Sequence, residues 1–145
     1  MGEFDSLYKY ILTEKSSELL GFDEFTIINH VIQMLEKNGN VEKSFSIKGK
    51  SGVDHIFDIS CMHNGRRLLV DVNFANKPLD DSIVLASFAK TLEVKDELYL
   101  LIAWPGLIES AQDLVKFYKI NLIQSTSLDN LSKDLDTFLE DHSKK

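Results

Sequence analysis

One stretch of this chain constrains its fold more than any other: the 25 residues from Lys50 to Phe74. Two apolar runs flank His63-Asn64-Gly65, and Asn-Gly between such runs is a strong hairpin signal. The first predicted strand, Val53 to Met62, carries Asp58 at its middle. The second, Arg67 to Phe74, carries Asp71 and Asn73. Side chains alternate along a strand, so Asp71 and Asn73 share a face with Leu69, while Leu68, Val70, Val72 and Phe74 take the other. A carboxylate in such a strand costs several kcal/mol unless it is solvated, paired or bound to a metal. For Asp58 the pairing partners at hand are a turn, Arg66 or Arg67. Two carboxylates on neighbouring strands, with Asn73 two residues along, otherwise make a hard-cation site.

The rest of the chain reads as alternating elements around this hairpin. Helices are predicted over 4–20 and 22–37, the second with Phe25, Ile28, Ile32 and Leu35 on one stripe. Asn38-Gly39-Asn40 stops it, and 41–47 is a first edge strand. A helix over 80–94 has apolar positions on so many sides that it should be packed on more than one. The near-continuous apolar run 97–104 reads as a central strand covered on both faces. Helix 107–119, strand 121–124 and a last helix capped by Ser127 complete the order. Strands that each follow a helix call for right-handed parallel crossovers. The fold class is therefore α/β: a mixed central sheet, an antiparallel meander plus parallel crossovers, with helices on both sides. All 145 residues form one expected domain.

Composition narrows the function classes. A single cysteine, Cys61, allows no internal disulfide and points to a reducing compartment. No apolar run approaches the roughly 20 residues of a membrane span. The N-terminus lacks a signal-peptide pattern, so the expected location is cytoplasmic. A net charge of −7 argues against broad attraction to nucleic acid. A local basic surface remains, with Lys48, Lys50, Arg66 and Arg67 near the hairpin as candidate DNA-phosphate contacts.

In its leading helix, its Gly52-to-Asp58 and Leu68-to-Asn73 strands and the helix-strand-helix-strand that follows, the chain resembles the restriction-endonuclease-like PD-(D/E)XK nuclease superfamily. The closest look-alikes are its Mrr-type and archaeal Holliday-junction-resolvase-type members. The resemblance implies that Asp58 and Asp71 bind Mg2+ or Mn2+ and that Glu24, on the leading helix, joins the catalytic set. The family's motif lysine, two residues after the second acid, orients the attacking water; that position here is Asn73. Asn cannot supply an ammonium, and losing such a preorganised charge costs about 10²–10³ in rate. Lys77, Lys48 and Lys50 are the candidates to replace it. The function implied is metal-dependent phosphodiester hydrolysis of DNA at Asp58 and Asp71, in an active or a degenerate form. The alternative is a catalytically inactive nuclease-fold module for DNA binding or protein assembly. DNA and, in a homodimer, a second copy of the chain are the candidate partners; a membrane is not.

Overall fold

The computed structural model describes residues 23–143. The helix predicted over 4–20 lies outside them. Helix α1 runs Glu24–Leu35, and Asp23 caps it by accepting from the Thr26 N–H at 2.8 Å. A short 3-10 turn follows, and Gly39 turns the chain at φ 147°, where a side chain is disfavoured. Strand β1 spans Val41–Lys48, β2 Asp54–His63 and β3 Arg66–Phe74. Helix α2 spans Asp81–Glu93, β4 Leu98–Trp104, α3 Glu109–Tyr118, β5 Asn121–Gln124 and α4 Leu128–Asp141. The protein is α/β, with a five-stranded mixed sheet in the order β1-β2-β3-β4-β5. β1–β2 and β2–β3 pair antiparallel; β3–β4 and β4–β5 pair parallel.

The hairpin turn is the expected two-residue kind. His63 pairs with Arg66, and Asn64 and Gly65 take φ of 54° and 77°. Central strand β4 is buried along its whole length. Leu98, Leu100 and Ile102 join Leu68, Val70 and Val72 in one core layer with α1 and α4. Tyr99, Leu101 and Ala103 join Leu69 in a second layer with α2 and α3.

One expectation about helix faces needs correcting. Phe25 is 64% exposed and lies under the Lys43 ammonium, while Ile27, Val31, Ile32 and Leu35 point inward. The buried arc of the helix runs through Ile27, Val31, Ile32, Met34 and Leu35, and at 100° per residue Phe25 falls outside it. Helix α2 packs on the sheet through Val84 and on α3 through Phe88, stacked on Tyr118 at a centroid distance of 3.9 Å, and only its outer face is open. Val84 and Ser87 are buried, but Leu85 and Leu92 are 47% and 52% exposed, because nothing among the described residues covers the outer face of this layer.

The feature that shapes the site is a change of face within the β1–β2 ribbon. Ile59 and Cys61 pack in the α1/α4 layer, yet Phe57, two residues before Ile59, packs in the α2/α3 layer. Val41 and Phe45 divide the same way in β1, with Ser44 between them at φ 48°. The ribbon thus turns over at Ser44 and Asp58. Its far end curls onto the end of α2, where the Lys50 N–H donates to the Glu93 carbonyl at 3.1 Å.

Candidate active site

The turnover ends the β2–β3 ladder at Ile59↔Val70. Beyond it, two side chains make the bonds a regular ladder would have made. The Asp58 N–H donates to Asp71 Oδ1 at 3.1 Å, and the Val72 N–H donates to Asp58 Oδ2 at 2.8 Å. The strands diverge there and leave a cavity of about 250 Å3, lined by Glu24, Asp58, Asp71, Asn73, Ser87 and Lys90. Three of the four sequence-derived catalytic residues thus come together on adjacent strands, and Glu24 joins them from the first turn of α1. Asp58 takes neither of the arginine partners open to it in sequence; its bonded partner is the Val72 N–H.

Sequence reasoning missed Lys90. Its Nζ lies 2.9 Å from Asp71 Oδ2, 2.6 Å from the Ile56 carbonyl and 4.6 Å from the centre of the Phe57 ring. Lys90 is the one basic residue of α2, and Ile83, Ser87 and Lys90 fall at helical spacing on one face. That spacing was the available signal. The three lysines proposed from sequence line other places. Lys77 borders a shallow hollow with Pro78 and Ile108, and Lys48 pairs with Asp54 at 3.5 Å. Lys50 sits at the ribbon's curled end.

Tyr99 was also missed. Its hydroxyl lies 3.0 Å from Asp71 Oδ2 and 3.0 Å from Ser87 Oγ. Burial, and then the Asp71 charge, hold the phenol far above its ordinary pKa, so it stays protonated.

The site carries more negative charge than it neutralises. Glu24, Asp58 and Asp71 face one ammonium, that of Lys90. Burial pushes the Asp58 carboxyl up; its bond from Val72 opposes this, Asp71 adds to it and Lys90 opposes it. Burial also raises Glu24, followed by repulsion from Asp58 and Asp23. A net-negative pocket whose acceptors are carboxylate and amide oxygens suits a hard divalent cation. Among the described residues no three His, Cys, Asp or Glu side chains converge as a ready-made cage. Mg2+ needs none: it is commonly held by one or two carboxylates together with waters and substrate phosphate. On charge and donor chemistry, Asp58 and Asp71 fit such an ion.

The sequence-derived DNA contacts divide. Lys48 and Lys50 border one hollow, Arg66 another, and the two adjoin at Val94, Lys95 and Glu97 beside the end of α2. Lys95, between them, and Lys119 on the Arg66 side extend a surface on which basic residues outnumber the acids Glu93, Asp96 and Glu97 that share it. Arg67 does not belong to this surface. Its guanidinium lies 4.5 Å over Phe45 and donates to the buried Ser60 hydroxyl at 2.9 Å. Alternation along β3 puts Arg67 on the Leu69 face, under the curled ribbon.

No family model and no curated protein matches this chain. Among solved structures it is similar to one titled "Crystal Structure of Protein of Unknown Function AF1548", at 18% identity and a TM-score of 0.55. The likeness is one of fold. It covers 66% of this chain and 56% of that one, so this chain spans little more than half of that protein's length. No helix among the described residues is long and apolar enough to cross a membrane.

Proposed function

We propose that this chain is a divalent-cation-dependent nuclease that hydrolyses DNA phosphodiesters in the cavity between β2 and β3. One observation carries the reading: Lys90 Nζ sits 2.9 Å from Asp71, in the cavity that Asp58 also lines. The carboxylate pair and the ammonium are thus together although Asn73 stands at the position of the motif lysine. The resemblance to the PD-(D/E)XK nucleases supports the same set. Asp58 and Asp71 would hold Mg2+ or Mn2+, which when bound supplies a water of lowered pKa and neutralises phosphate charge. Lys90 is the group placed to meet the charge that develops on the phosphate, a role worth about 10²–10³ in rate. Its four-carbon stem lets the ammonium move from Asp71 to a substrate oxygen. Glu24 adds an oxygen donor at the rim. Lys50, Arg66 and Lys95 supply phosphate contacts that fix the duplex without reading sequence.

The test is cleavage of linear, nicked and branched DNA with Mg2+ or Mn2+ by wild type, Asp58→Ala and Lys90→Met. Activity lost in both variants is the expected result. Activity surviving in Asp58→Ala would place the chemistry elsewhere. A second reading, an inactive nuclease-fold module for DNA binding or assembly, draws on a different observation. Both oxygens of Asp71 already accept bonds from the protein, two of them on Oδ2. DNA binding with no cleavage under any metal would favour it.

A further inference from the structure

We infer that Tyr99 and Ser87 are positioning residues for Asp71: they hold Oδ2, so that Oδ1 keeps its place beside Asp58 when Lys90 turns to a phosphate. The inference rests on the nuclease reading of the cavity.

Hydrogen-bond accounting fixes the direction of the relay. The Tyr99 hydroxyl lies within bonding distance of both Asp71 Oδ2 and Ser87 Oγ. A phenol has one proton, and an ionised carboxylate only accepts. The Tyr99 proton therefore goes to Asp71, and the Ser87 hydroxyl donates to the Tyr99 oxygen. Ser87, Tyr99 and Asp71 are all buried, which limits competition from water for these bonds.

The two donors on Oδ2 differ in kind. Lys90 ends a flexible stem and is partly solvated. Tyr99 stands on the fully buried strand β4, its ring edge-on to Phe57 at a centroid distance of 6.0 Å. If Lys90 leaves for substrate, Tyr99 remains. Without Tyr99, the departure of Lys90 would strip Oδ2 of both donors and free the carboxylate to rotate. Oδ1 would then lose its register with the Asp58 N–H, and with it the paired arrangement offered to a cation. Partners that orient a ligating carboxylate in this way typically matter about 10–100-fold in metal affinity or activity.

The experiment compares wild type, Tyr99→Phe and Ser87→Ala on two readouts. One is melting temperature against Mn2+ concentration, in complex with an uncleavable DNA analogue whose phosphates draw Lys90 from Asp71. The other is the single-turnover cleavage rate and the DNA affinity at saturating Mn2+. Tyr99→Phe keeps the ring and removes only the donor. It should shift the Mn2+ midpoint about tenfold to higher concentration. It should also slow cleavage by a similar factor and leave DNA affinity unchanged. Ser87→Ala should act in the same direction, more weakly, and it decides the matter if Tyr99→Phe does not fold. Variants that melt lower by the same amount at every Mn2+ concentration, with an unchanged midpoint and cleavage rate, would overturn the inference and leave Tyr99 a core residue. A wild type that neither responds to Mn2+ nor cleaves would bring down the nuclease reading itself, and this inference with it.

Discussion

Asp58 and Asp71 join their two strands by side chain where the backbone ladder has ended. Asp58 gives its N–H to the Asp71 carboxylate at 3.1 Å, and its own carboxylate takes the Val72 N–H at 2.8 Å. The same two residues that face the cavity therefore also hold it open. Function and stability should be coupled there.

Asp71→Ala should be strongly destabilising. It would leave the Lys90 ammonium, the Tyr99 hydroxyl and the Asp58 N–H without their shared acceptor. Removing one partner of a largely buried, hydrogen-bonded ion pair costs on the order of 3–5 kcal/mol. Asp71→Asn keeps an acceptor oxygen and should lose less. Urea unfolding of the two variants checks this; equal losses would mean that charge, rather than the number of acceptors, decides.

Asp58 predicts a pH dependence of unusual sign. Burial raises its pKa in the fold, and the neighbouring Asp71 adds to this. A raised carboxyl holds its proton more tightly in the folded state. Its contribution is therefore fully present below the unfolded pKa of about 4 and is lost as pH rises through the higher folded value. Glu24 acts in the same direction. The groups facing Asp58 are Glu24 from α1, Asp71 from β3 and Lys90 from α2. Asp80 and Glu93, whose pKa values are lowered, have the opposite slope, but they are common to wild type and variant and cancel in the difference. Without added metal, wild type should lose stability relative to Asp58→Asn as pH rises from about 4 toward 7. Millimolar Mn2+ should recover that loss in wild type alone. Urea midpoints at several pH values decide it, and parallel profiles for the two proteins would remove the Asp58 charge from the account.

The basic surface is testable by salt. Lys50→Ala, Arg66→Ala and Lys95→Ala together should weaken DNA binding at low salt. If each residue meets one phosphate, the slope of log affinity against log salt should fall by about 2.7 units in all. Arg67→Ala should instead lower thermal stability and leave that slope unchanged, because its guanidinium serves Ser60 and Phe45. A salt slope that responds to Arg67 alone would reverse this assignment.

Much of this site is legible in the sequence. Strand alternation and the Asn64-Gly65 turn were enough to place Asp71 and Asn73 on one face of β3 and Asp58 on the strand beside it. What alternation cannot report is where it breaks. The change of face at Ser44 and Asp58 has no compositional mark, since Ser44 is not a glycine and yet takes φ 48°. That break opens the cavity, and it also carries Lys48 and Lys50 round to the end of α2. Lys90 and Tyr99 were hidden for another reason. Their distances from Asp71 in sequence, 19 and 28 residues, are bridged only by the order of the sheet and the seat of α2 upon it. The Ser60 and Phe45 contacts of Arg67 were hidden as well, because a charged residue at a strand start looks solvated until the ribbon above it is known.

Asn73 allows the sharpest test of which ammonium serves the site. It lines the cavity two residues beyond Asp71 and on the same face of β3. A lysine there would enter from the strand instead of from α2. Lys90→Met should remove the charge and lower cleavage by about 10²–10³. It should also raise the pocket's affinity for Mn2+, because an ammonium no longer repels the cation beside Asp71. Asn73→Lys on that background restores a cation and should recover part of the lost rate. The same substitution in the presence of Lys90 would crowd two ammonium groups into one cavity and should weaken Mn2+ binding. Cleavage rates and Mn2+ melting titrations of the two single variants and the double variant complete the cycle. A double variant no faster than Lys90→Met, though folded and binding Mn2+, would show that the ammonium must approach from the helix. A Lys90→Met protein as active as wild type would mean that Lys90 only neutralises Asp71.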